Sequence, residues 1–105
     1  MTISKTQKQR GRQPNGCPNQ IDIYVGNRIK QKRKTLNLSQ QQLARELHVS
    51  FQQLQKYESG QNRISASRLW DISQILGEPV NFFFKGIDKE LAIQSPRFLQ
   101  SDYPN

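Results

Sequence analysis

Residues 38–60 read LSQQQLARELHVSFQQLQKYESG, and this short run holds two helix starts and two helix stops. Ser39-Gln40-Gln41-Gln42 has the Ser-x-x-Gln form, in which Ser accepts from the orphan amides of a first turn and Gln reaches back to the cap. Ser50-Phe51-Gln52-Gln53 repeats that form. Between them Leu43, Ala44 and Leu47 share one helical face, and His48-Val49 leaves almost no room for a loop. Leu54 and Tyr57 then mark the inward side of the next helix, which stops at Ser59-Gly60, where Gly can take the left-handed conformation that closes a helix. The spacing predicts helices over 40–47 and 50–59, joined so tightly that they must cross steeply. That is a helix-turn-helix, in which the small Ala44 marks the closest approach while Leu47, Val49 and Leu54 seal the joint. An ordinary hairpin in a helical bundle would show the same local signs.

The flanking sequence continues in helical period. Val25 and Ile29 lie one turn apart, with Arg33 one turn further, which predicts a first helix over 22–34 with Asp22 as N-cap and Arg28, Lys30, Lys32 and Lys34 turned away from the buried stripe. Ser65 opens a fourth helix with Leu69, Ile72, Ile75 and Leu76 inward, and Gly77 ends it. Pro79, at a first helical position, begins a short fifth helix containing Val80, Phe82, Phe83 and Phe84. The expected fold is all-α, a five-helix domain over 21–86 containing the helix-turn-helix, with disordered termini.

Those termini follow from composition. The chain has 105 residues, 33% of them apolar, enough for one small core. Residues 1–20 place Gly and Pro among Lys, Gln and Asn with little to bury, so a basic disordered arm is expected there. Residues 87–105 form a C-terminal tail interrupted by Pro96 and Pro104. The net charge is +8, and all of that excess lies in residues 1–34; the rest of the chain is formally neutral. A charge so placed predicts an anionic partner, met by a flexible arm and the first helix.

Several classes are set aside on the same grounds. A lone Cys17 and a lone His48 cannot build a disulfide framework or a structural zinc site, so no metal and no cofactor are expected. No catalytic residues are assigned: Gly-rich phosphate loops and paired carboxylates are missing, and no nucleophile is spaced with the single His. No apolar run reaches membrane-spanning length and the basic start lacks a secretory apolar stretch, so a cytoplasmic protein without membrane contact is expected.

The order and spacing of these features resemble the Cro/phage-repressor (XRE-like) helix-turn-helix family of DNA-binding transcriptional regulators. The matching residues are Val25-Gly26-x-Arg28-Ile29 and Arg33, then Leu38-Ser39-Gln40-x-x-Leu43-Ala44, then Val49-Ser50 with Leu54 leading to Tyr57-Glu58-x-Gly60, and finally Leu69, Ile72, Leu76 and Gly77. Many members of that family carry Gly where this chain has His48, a position that often needs positive φ; His is among the residues that tolerate it. The resemblance implies double-stranded DNA as partner, base contacts at Phe51, Gln52, Gln55 and Lys56, a phosphate clamp at Gln40, and a structural ion pair between Arg33 and Glu58.

The residues supply matching chemistry. With Leu54 and Tyr57 inward, Ser50, Phe51, Gln52, Gln55, Lys56 and Ser59 are left outward; Gln pairs with adenine, Lys donates to guanine and Phe packs on a thymine methyl. Ser50, Gln61, Asn62 and Arg63 are further phosphate candidates. Phe82-Phe83-Phe84 is too apolar for a short terminal helix, so at least one ring should be exposed. This makes the triplet a candidate dimer surface, in keeping with family members that bind two half-sites as homodimers. The expected function is a sequence-specific regulator of transcription, a homodimeric repressor reading the major groove with helix 50–59. The competing expectation is an antitoxin-like interaction module whose C-terminal segment binds a protein partner.

Overall fold

The computed structural model describes residues 18–91, and its helices follow the punctuation of the sequence. Helix α1 is Gln20–Thr35, α2 Gln40–Leu47, α3 Phe51–Ser59 and α4 Ala66–Leu76; a 3-10 turn, Val80–Phe84, and a one-turn helix α5, Ile87–Glu90, end the order. Every element of the described residues is helical, as expected. The arm expected over 1–20 and the tail over 87–105 lie outside the described residues, apart from residues 18–20 and 87–91; Cys17 lies outside them too.

Cap chemistry explains why the helices start where they do. Ser39 accepts from the Gln42 amide at 3.0 Å while the Gln42 side chain accepts from the Ser39 amide at 2.7 Å, so both arms of this capping box are made. At α3 only the Ser arm forms, with Ser50 Oγ accepting from Gln53 N at 3.0 Å. Ser65 caps α4 in the same way through the Arg68 amide. Two expectations are corrected. The N-cap of α1 is Asn19, not Asp22: Asn19 is extended, and its side-chain oxygen takes the Ile21 amide at 2.7 Å. Asp22 therefore sits inside the first turn, where the positive helix end favours a carboxylate. The segment after Pro79 is a 3-10 turn and not an α-helix, because its amides bond three residues back, Phe82 N to Pro79 O at 2.9 Å and Lys85 N to Phe82 O at 3.3 Å. Pro79 itself precedes the turn with an extended backbone.

The core is one cluster contributed by every long element: Val25 and Ile29 from α1, Leu43, Ala44 and Leu47 from α2, Leu54 from α3, Leu69, Ile72 and Leu76 from α4, and Phe83 from the 3-10 turn. Helix α1 lies across α3 at very short range. A Cβ built on Gly26 would fall 2.3 Å from the Tyr57 carbonyl oxygen and 2.8 Å from that of Glu58. Those are backbone atoms of a packed helix, so only glycine fits.

At the same crossing Arg33 meets Glu58, both buried. Arg33 Nε donates to Glu58 Oε2 at 2.7 Å, a second guanidinium nitrogen donates to Oε1 at 3.2 Å, and the third nitrogen donates to the Leu38 carbonyl at 2.8 Å. The Gln40 side-chain amide adds a fourth bond, donating to Glu58 Oε1 at 2.8 Å. One charged cluster thus ties α1, the connection before α2, the start of α2 and the end of α3. The turn between α2 and α3 is closed by His48 at φ 60 and ψ 40, with Val49 N donating to Ala44 O at 3.0 Å.

Three stability outcomes follow. Gly26→Ala should lower the unfolding free energy in urea by about 1–3 kcal/mol despite alanine's better helix propensity, since the methyl group meets backbone. His48→Gly should raise it by about 1 kcal/mol by relieving a left-handed residue. Glu58→Ala should cost about 3–5 kcal/mol by stranding a buried guanidinium, whereas Arg33→Met with Glu58→Leu should recover most of that loss.

Candidate nucleic-acid interface

The arrangement of α3 decides what it can present. Leu54 and Glu58 are buried and Tyr57 is half-buried, while Gln52, Gln55, Lys56 and Ser59 are exposed. At helical spacing the four exposed positions form one stripe along the helix. The only carboxylate of α3, Glu58, is turned inward and held by Arg33, so the stripe carries two amides, one hydroxyl and one cation. Phe51 is half-buried at the first position of the helix, beside exposed Ser50. The tight turn fixes the direction of this stripe, and Arg68 reinforces it by donating to the Leu47 carbonyl at 2.8 Å, which fills an orphan acceptor at the end of α2.

Around the stripe the other sequence candidates fall in different places. Gln40 is half-buried at the start of α2, with one side-chain N–H committed to Glu58. Ser50 is occupied as a cap. After α3, Gly60 takes φ 82 and a Cβ there would fall 2.7 Å from the Ile23 Cα of α1, while Asn62 N donates to Lys56 O at 3.2 Å, so this connection is held between α1 and the end of α3. Gln61 is exposed and Asn62 half-buried. Arg63 lies toward α1, with its Nε 3.9 Å from Asp22 Oδ2. Burial raises the Asp22 carboxyl above its ordinary value of 3.8, and Arg63 pulls it partly back.

The phenylalanine triplet is divided three ways, which corrects its reading as a single surface. Phe83 is fully buried in the core and touches nothing outside. Phe82 is half-buried, edge-on to Phe83 at 5.1 Å, and covered by the Arg28 guanidinium 4.3 Å above its ring, with Lys32 Nζ at 5.8 Å. Only Phe84 remains exposed. Arg28 also donates to the Phe82 carbonyl at 2.9 Å, and Lys32 pairs with Glu78 at 2.8 Å. Both cations were expected to turn away from the packed side; instead they clip the 3-10 turn onto α1. Among the described residues no group of three or more His, Cys, Asp or Glu side chains is gathered to hold a metal, and His48 stands exposed at its turn.

Comparison with known proteins agrees with this geometry. The helix-turn-helix family model matches residues 29–83. A protein of Sinorhizobium medicae described as an uncharacterized HTH-type transcriptional regulator is 57% identical over 68 residues, covering 65% of this chain and 49% of the relative. An uncharacterized transcriptional regulator in the ATPase CF(0) region of Rhodospirillum rubrum is 52% identical over 69 residues, covering 66% of this chain and 64% of the relative. The chain thus spans about half to two thirds of the length of these relatives. Among solved structures, the clp gene regulator ClgR from Corynebacterium glutamicum is similar in fold with a TM-score of 0.65 at 21% identity, covering 83% of this chain and 98% of that one. The restriction-modification controller protein C.AhdI from Aeromonas hydrophila gives 0.57 at 22% identity, covering 59% and 94%. With the capped helix pair, the buried Arg33–Glu58 cluster and the family match all falling on one stretch, the chain belongs to the helix-turn-helix family of Cro/phage-repressor (XRE-like) DNA-binding transcriptional regulators.

Proposed function

We propose that the chain is a sequence-specific double-stranded DNA-binding regulator, a homodimeric repressor that inserts α3 into the major groove. The observation that carries this reading is the stripe of Gln52, Gln55 and Lys56, exposed on a helix whose one carboxylate is turned inward and neutralised. A groove lined by phosphates repels exposed acid, and α3 offers none. Gln52 and Gln55 present paired donors and acceptors suited to adenine, and Lys56 donates to guanine O6 or N7. Phe51, half-buried, offers a ring edge to a thymine methyl.

Phosphate contacts are assigned on both sides of the stripe. At the start of α2 the cap uses the Gln42 amide, leaving the Gln40 and Gln41 amides and the second side-chain N–H of Gln40 for a phosphate at the positive helix end. Ser50, Gln61, Asn62 and Arg63 serve the other strand. Gln40 holds Glu58 as well, so one residue would link backbone docking to the orientation of α3. Lys5, Lys8, Arg10 and Arg12 add sequence-independent attraction. A protein seated in the groove excludes others from the same DNA, which makes repression the simplest consequence. No observation here favours the interaction-module alternative.

Selection of bound duplexes from a random pool at physiological salt should enrich one motif with two related half-sites; a pool left unenriched contradicts the proposal. Gln52→Ala and Lys56→Ala should each lose roughly 1–3 kcal/mol of discrimination at one base position, while Gln61→Ala should weaken all duplexes alike. Deleting residues 2–17 should reduce the slope of log affinity against log salt by about 0.9 for each arm cation that meets a phosphate.

A further inference from the structure

One face of α1 takes no part in the core. Ile23, Tyr24, Asn27 and Lys30 succeed one another there at helical spacing and floor a groove of about 360 Å³, walled by the last turn of α3 at Ser59 and by the end of α5 at Leu91. Ile23 is 41% exposed in it, and Asn27 and Lys30 are exposed beside it. The groove therefore offers an uncovered isoleucine next to an amide, which donates and accepts, and an ammonium, which donates. Those are the groups that an extended peptide with one apolar side chain would use.

The chain itself is delivered to this groove. Arg28 holds the Phe82 carbonyl, and Tyr24, one turn nearer the start of α1, donates to the Lys85 carbonyl, so the residues that follow the core run back along α1. Helix α5 is then capped at Leu91 in the groove wall, and fourteen residues follow it in the sequence. The first of them, residues 92–99, read AIQSPRFL: Ile93 comes two positions after Leu91, and Pro96 disfavours a helical Ser95. From Gln20 to Lys30 α1 is about 15 Å long, a span that about five extended residues cover. From this we infer that residues 92–96 lie extended in the groove of the same chain, with Ile93 on Ile23 and the backbone bonded to Asn27 and Lys30. The basic arm is a poorer occupant, because residues 1–17 hold only Met1, Ile3 and Cys17 to cover an isoleucine, and Ile3 is far along the chain from α1, whereas Ile93 is tethered beside its site. Seated there, the segment packs on the last turn of α3 and shields it, whatever α3 binds.

Methyl NMR of the full chain tests this. The expected result is a nuclear Overhauser contact between the Ile23 and Ile93 methyl groups that is unchanged by dilution and absent between differently labelled chains. At one fixed concentration, Ile93→Glu should lower the melting temperature by roughly 4–8 °C and speed amide exchange at residues 57–60. In a chain already carrying Ile23→Ser the same substitution should have little effect, whereas combined with Trp70→Ser, at a ring that is 58% exposed and outside the groove, it should keep its full effect. A missing contact, a contact found only between chains, an Ile93→Glu chain that melts as the parent does, or an equal loss in the Ile23→Ser background overturns the inference.

Discussion

The buried cluster of Arg33, Glu58, Gln40 and the Leu38 carbonyl is the constraint on which the remaining geometry depends. Its four bonds join three helices that the apolar core alone would allow to slide. Apolar packing is non-directional, whereas a guanidinium facing a carboxylate through two parallel bonds admits one register. The pair does not have to add net stability to do this, because desolvation offsets much of its attraction. Its consequence is positional: α3 is rotated so that its carboxylate faces inward and its amides outward.

Glycine and the caps complete that placement. Gly26 lets α1 approach the last turn of α3 closely enough for Arg33 to reach Glu58. Ser39 and Ser50 set where α2 and α3 begin, and His48 in the left-handed region turns the chain between them. These local features agree with one another, which is what the proposed reading surface would require to be rigid. The opening excess of cations is divided in the folded domain: Arg28 and Lys32 are spent on the Phe82 ring and Arg33 on Glu58, while Lys30 and Lys34 stay exposed.

Much of this was legible before the structure. Ser39, Ser50, Ser65, Gly60 and Gly77 announce helix ends because their chemistry acts within four residues, and the apolar stripe of each helix is a matter of period. The exposed stripe of α3 was legible for the same reason. What escaped reading depends on contacts across the chain. The clip of Arg28 over Phe82 spans 54 positions, and Arg68 reaching the Leu47 carbonyl spans 21, and nothing local marks either. The division of the phenylalanine triplet escaped too, since the 3-10 turn, unlike an α-helix, was not foreseen. Asp22 misled because a carboxylate suits a first turn almost as well as a cap, and Asn19 stands one turn earlier with the better geometry.

The central claim is that α3 meets bases through side chains aimed by this buried cluster. Its most direct test is a solution NMR titration of isotope-labelled chain with the duplex that selection enriches. The side-chain amide signals of Gln52 and Gln55 and the Lys56 resonances should shift and become protected from solvent exchange, with α4 at Trp70 unperturbed. Saturable binding that leaves those signals unchanged while shifting the Trp70 face would contradict the account.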